Sequence, residues 1–118
     1  MLIVDELRIT LANALDDLYK DEWAVAQWQD DVVGKTDSLD AFDSIVPTLE
    51  LASEQVDGYA FESCCSLALQ LAGLAQTTEH PNNLVSILQS LRKHELQLAL
   101  NGSKVEELAK WFRVSNAI

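Results

Sequence analysis

Two histidines, two cysteines and a series of paired carboxylates are the side chains of this 118-residue chain that could do chemistry. His80 precedes Pro81, where a solvated turn residue is the simplest reading, and His94 flanks an apolar stripe, where it reads as packed or at an edge. Neither belongs to an H-x-x-x-H or H-E-x-x-H pattern, so no metal and no cofactor is expected. Cys64 and Cys65 are adjacent; on a helix they point about 100° apart and are poorly placed to bond each other. With no second cysteine cluster there is neither a disulfide framework nor a thiolate zinc site. A nucleophile pair between either cysteine and His94, with Glu95 beside it, is conceivable. Free cysteines on an apolar helix are ordinarily inert core, and the expectation is that the chain is not an enzyme. The carboxylate pairs Asp16/Asp17, Asp21/Glu22, Asp30/Asp31 and Glu106/Glu107 read as solvated helix faces rather than acid–base machinery, which needs a cleft. Asp37, Asp40 and Asp43 recur every three residues, but without the spacing of a calcium loop. No glycine-rich phosphate loop and no G-x-S-x-G elbow is present.

Charge carries the clearest functional signal. The formal net charge is −11. Residues 1–57 hold fourteen acids and three bases, whereas residues 58–118 hold five of each, so the whole excess belongs to the N-terminal half. A chain so charged lacks the basic patches that DNA, RNA or an anionic membrane requires. It suits solubility and a basic protein partner. The opening MLIVDELR carries acids where a signal peptide carries a basic stretch, so a reducing cytoplasm is expected.

The elements that must position these groups are helices. Apolar residues make up 48% of the chain, which excludes disorder, and four Gly and two Pro leave few breakpoints. The pattern predicts an all-α domain over residues 1–118, a compact bundle of about six or seven short antiparallel helices built as helical hairpins. Its centre is Tyr59–Gln76, apolar around most of its circumference, with Glu62, Ser66 and Gln70 on one narrow polar strip. Leu2–Lys20 carries Val4, Leu7, Leu11, Ala14, Leu15 and Leu18 on one face. Asp21 is placed to cap Glu22–Val33, whose inner face holds Val25, Trp28 and Val32. Trp23 lies roughly 140° from Trp28 around that axis, so one indole is expected near the surface. Asp37 or Ser38 is expected to cap a short helix ending near Asp43. Pro47 then fits the first turn of a separate helix over Ile45–Val56, capped near Ser44, with Val56 inward and Gly58 ending it. After a turn at Thr77–His80, Pro81 opens a helix with Leu84, Ile87, Leu88, Leu91 and Leu98 inward. Glu95 falls in the middle of that stripe and requires a bend near Lys93, an end to the core there, or a partner such as Arg92. Asn101-Gly102 is the expected stop. The capping-box pattern Ser103-x-x-Glu106 then opens a last helix with Val105, Leu108, Ala109 and Phe112 inward.

Aromatic residues are interleaved with the acids of the N-terminal half. Binding surfaces combine aromatic anchors with charge that steers the partner. The expected partner-binding residues are Asp16, Asp17, Tyr19, Asp21, Glu22, Trp23, Asp30, Asp31, Asp37, Asp40 and Asp43. In its size, its acidic segments LDDLYKDEW and WQDDVVGKTDSLDAFD, its helical-hairpin build and its lack of an active-site motif, the chain resembles the small acidic all-helical bacterial immunity proteins. That resemblance implies a protein-binding inhibitor that neutralises a basic toxin domain by occluding its active site. The alternative is a non-catalytic adaptor or scaffold subunit that binds a partner through apolar grooves.

Overall fold

The computed structural model describes residues 4–18, 23–76, 79–100 and 103–118. Their order is α1 (Val4–Leu18), α2 (Ala24–Lys35), α3 (Ser38–Ser53), α4 (Gly58–Ala75), α5 (Leu84–Gln97), α6 (Ser103–Trp111) and a terminal 3₁₀ turn, Ser115–Ala117. Among the described residues there is no strand. The Cα radius of gyration is 13.4 Å, against about 13.5 Å for a compact chain of this length.

Helix α4 is buried as its composition requires. Phe61, Cys64, Cys65, Leu67, Ala68, Leu71 and Ala72 are enclosed, while Glu62, Ser66 and Gln70 keep their expected strip at or near solvent. The α3–α4 hairpin is the most extensive helix pair, and α4 also packs against α2 and α6. Helix α1 contributes Leu7, Leu11 and Ala14 to the core, resting on α2 and α3. The side chains of Val4 and Leu18 lie outside the described residues, as do Tyr19, Asp21 and Glu22.

The expected break at Pro47 does not occur. Ser38–Ser53 is one continuous helix with the proline inside it. Pro47 has no N–H, so the interior hydrogen bond to the Asp43 carbonyl cannot form, at a cost of about 3 kcal/mol or more. Ile45, Leu49, Leu51 and Ala52 are all buried in the same helix. Each fully buried aliphatic side chain of Leu or Ile size returns about 1.5–3 kcal/mol, so burial on α4 outweighs the proline. The helix ends earlier than the pattern suggests, and Val56, expected inward, is 87% exposed. Gly58 opens α4 rather than closing α3, behind the Asp57 N-cap, whose carboxylate accepts the Ala60 N–H at 3.0 Å. A Cβ at Gly58 would lie 3.1 Å from the Leu100 side chain, so glycine here permits a close approach of the α5–α6 connection.

Helix α5 also stops before the expected Asn101-Gly102. Ala99 adopts a left-handed conformation with φ 59°. The Leu100 N–H donates to the Glu95 carbonyl at 3.1 Å and the Ala99 N–H to the Leu96 carbonyl at 3.0 Å. That is the bonding of a Schellman motif, here with alanine where glycine is usual. Helix α6 ends the same way around Arg113, φ 61°, with Val114 N–H to the Ala109 carbonyl at 2.8 Å. Of the alternatives the sequence offered, Glu95 takes a partner, but on the α6 backbone and not the Arg92 side chain. It is only 1% exposed, and its carboxylate accepts the backbone N–H groups of Lys104 and Val105 at the start of α6. Arg92 pairs instead with Glu106, at 3.4 Å.

These caps give two stability changes of opposite sign. Ala99→Gly relieves the left-handed strain and is expected to stabilise the fold by about 1 kcal/mol. Asp57→Ala removes the α4 cap and is expected to cost about 1 kcal/mol. Urea unfolding followed by circular dichroism measures both; a lower midpoint for Ala99→Gly would contradict this account of the α5 terminus.

Candidate protein-interaction surface

The expected binding residues divide by what holds them. Asp37 is the N-cap of α3, and its Oδ1 accepts the Asp40 N–H at 2.8 Å. Asp40 sits half-buried in the first turn of the same helix, where a negative charge complements the helix dipole. Both carboxylates therefore have a local structural reason. Asp16 and Asp17 do not. They are exposed near the end of α1, whose last turn holds no basic residue, and there a negative charge opposes the dipole. Asp30 and Asp31 are exposed on α2. Asp43 is exposed on α3, away from these, beside a second groove of about 580 Å³ that it lines with Glu50, Glu79 and His80.

Asp17 and Asp31 meet at an open groove of about 290 Å³ between α1 and α2. Its walls run along two polar rows at a spacing of four: Asn13 and Asp17 on α1, and Gln27, Asp31 and Lys35 on α2. Trp28 forms part of the lining. Its indole is buried, 5% exposed, and its Nε1–H donates to the Thr10 hydroxyl at 2.9 Å, which in turn donates to the Glu6 carbonyl at 2.9 Å. Trp23 stands at the N-cap position of α2 and is 64% exposed. The surface indole is thus Trp23 and the core indole Trp28. Asn13, Gln27 and Lys35 were not among the expected binding residues, although their helical spacing with Asp17 and Asp31 is visible in the chain.

Two acids elsewhere in this half, Asp5 and Glu54, share a cation. The Arg8 guanidinium on α1 forks onto both carboxylate oxygens of Glu54, just beyond α3, and reaches Asp5 at 3.2 Å. The hydrogen bond from Arg8 holds the Glu54 carboxyl below its ordinary range. Arg8 is thus occupied away from the groove.

The catalytic alternative meets a different environment. Burial pushes the Cys64 thiol up to about 12 and the Cys65 thiol higher still, with the Cys64 sulfur and the Glu95 and Glu62 carboxylates adding to the rise at Cys65. His94 turns away from them in its polar contacts: its Nε2 lies 2.5 Å from the Gln55 carbonyl oxygen, and its ring stacks at a tilt on Phe61, centroids 5.4 Å apart. His80 likewise places Nε2 2.7 Å from the Phe112 carbonyl oxygen. Among the described residues, no group of three or more His, Cys, Asp and Glu side chains is arranged to hold a metal ion, and no helix is long and apolar enough to cross a membrane.

Comparison of the chain with protein-family models, with curated proteins and with solved structures finds no match. The functional reading therefore rests on the surface itself.

The thiol environment makes a direct forecast. A thiol nucleophile needs a thiolate fraction and access, and Cys64 and Cys65 have neither. Both are expected to stay unreactive toward a disulfide reagent in the folded protein at pH 8 and to react fully in denaturant. Fast modification of the folded protein would restore the nucleophile reading.

Proposed function

We propose that the chain is a protein-binding inhibitor that engages a basic partner through α1 and α2. The observation that carries this reading is the set of exposed carboxylates Asp16, Asp17, Asp30 and Asp31, two of them lining the α1–α2 groove. At the end of α1 these charges oppose the helix dipole, and among the described residues they cap no helix and form no ion pair. A surface that retains such charges is suited to steering an oppositely charged protein, which raises association rates by about 10- to 1,000-fold. In the proposed mechanism the carboxylates draw in a lysine- and arginine-rich face. Asn13, Asp17, Gln27 and Asp31 then accept its side chains in the groove, and Trp23 supplies an aromatic anchor at the rim. Tyr19, Asp21 and Glu22, from the same sequence segment, belong to the proposed surface but lie outside the described residues. In its sharpest form this is the role of an immunity protein that occludes the active site of a cognate basic toxin domain.

The adaptor alternative draws less support. The exposed apolar residues Ile9, Leu39, Val56 and Leu96 fall on four different segments of the chain, and single apolar exposures of this kind are ordinary.

The test is capture of partners from a host lysate on the immobilised chain at low and at moderate salt, followed by association kinetics with whatever basic protein is retained. The charge-reversed chain carries Asp16→Lys, Asp17→Lys, Asp30→Lys and Asp31→Lys, which spares the α3 cap. It is expected to associate at least tenfold more slowly, with a shallower salt dependence and an unchanged circular dichroism spectrum. A partner whose binding ignores both salt and these four changes would move the interface elsewhere and favour the adaptor.

A further inference from the structure

We propose that Glu95 is a pH-sensitive latch between α5 and α6, closed when its carboxyl is protonated and loosened when it ionises. The residue fastens the connection from both ends. Its backbone carbonyl accepts the Leu100 N–H that closes the α5 terminus. Its side chain reaches the start of α6 and accepts the N–H groups of Lys104 and Val105, two of the donors that a helix start leaves without partners. The carboxyl is almost fully enclosed, and its Oε1 has no hydrogen-bond partner, which leaves Oε2 as the capping oxygen. An enclosed carboxylate with one bare oxygen is costly as an anion and far less so as a neutral acid.

The surroundings pull in both directions. The two N–H groups of α6 and the Arg92 guanidinium favour the anion. Burial opposes it most strongly, and the Glu62 carboxylate of α4 adds to the opposition. Lys104 at the α6 start, the Cys65 thiol of α4 and the α6 carboxylate Glu106, which pairs with Arg92 at 3.4 Å, are further ionisable groups around this seam. Helix α3, which also packs on α5, carries Asp43 and Glu50 on its exposed face. The balance holds the Glu95 carboxyl above the ordinary glutamate range.

A carboxyl raised in the folded state reverses the usual acid behaviour. Its contribution to the fold is fully present below the ordinary glutamate value of about 4.3. It is lost as pH rises through the higher folded value, at up to tenfold in the opening equilibrium per pH unit across that window. What loosens is α6, which would expose Val105, Leu108, Ala109 and Phe112, all buried in the closed state.

The experiment follows amide hydrogen exchange between pH 4.5 and 8, expressed as protection factors so that intrinsic pH dependence is removed. In the native chain, α6 protection is expected to fall by tenfold or more as pH rises, while the α3–α4 amides fall less. In Glu95→Gln, whose amide oxygen can still cap α6, the α6 protection is expected to be flat. Equal pH dependence in both proteins would overturn the proposal and assign the effect to general charge repulsion. Should the variant not fold, the carboxyl ¹³C titration of Glu95 in the native protein decides. A midpoint well above that of the exposed Glu50 supports the latch, and coincidence with Glu50 overturns it.

Discussion

Burial of α4 against α3 is the constraint to which the rest of the chain adapts. Both helices are rich in small buried residues: Ala41, Ser44, Thr48 and Ala52 on α3, and Ala60, Cys64, Ala68 and Ala72 on α4. Small side chains let two helix backbones approach closely, and larger ones such as Ile45, Leu49, Phe61, Leu67 and Leu71 fill the space around them. The requirement is strong enough to carry a proline through a helix interior. Thr48 and Ser44 are tolerated in the same stretch, the Thr48 hydroxyl donating back to the Ser44 carbonyl at 2.8 Å. The cysteines belong to this constraint too. They serve as small apolar volumes, and the same burial that makes them useful for packing keeps their sulfurs protonated.

Much of this was legible in the sequence, because α4 announces itself by apolar residues around nearly its whole circumference and by a polar strip that the structure keeps. The amphipathic stripes of α1, α2 and α6 were equally readable, since each is a local property of one helix. What was illegible is what depends on two elements at once. Pro47 reads locally as a helix start, and only the burial of Ile45 and Leu49 on α4 shows why the helix runs through it. Ala99 carries no glycine signal, yet it turns left-handed because Leu100 must fold back over Gly58. Glu95 interrupts an apolar stripe, and the reason is not visible there because its partners are backbone N–H groups nine and ten residues later, which periodicity cannot display. Of the acidic surface, the residues were legible as a set, but their division was not. Asp37 and Asp40 turn out to serve the start of α3, and Asp17 and Asp31 face one groove only because α1 and α2 pack side by side.

Stability and surface charge are carried by different parts of this molecule. Helices α3, α4 and α5 hold most of the large buried side chains, whereas α1 and α2 lie to one side, with α1 touching only α2 and α3 extensively. Asp16, Asp17, Asp30 and Asp31 sit on that outer pair. Their mutual repulsion therefore acts where fewer buried contacts are at stake, and the core can tolerate it. Moving the same charges onto α4 would place them against Cys65 and Glu95, where a low dielectric magnifies every interaction. The arrangement also separates the two electrostatic features by mechanism. On α1 and α2 the charges are exposed, screened by salt and free to attract a partner from a distance. At the α5–α6 seam a single carboxyl is enclosed, insulated from salt and responsive to protons, because desolvation and not Coulomb attraction dominates its energy. One chain thus holds a long-range electrostatic surface and a short-range protonation site that can be changed independently, since no residue is shared between them.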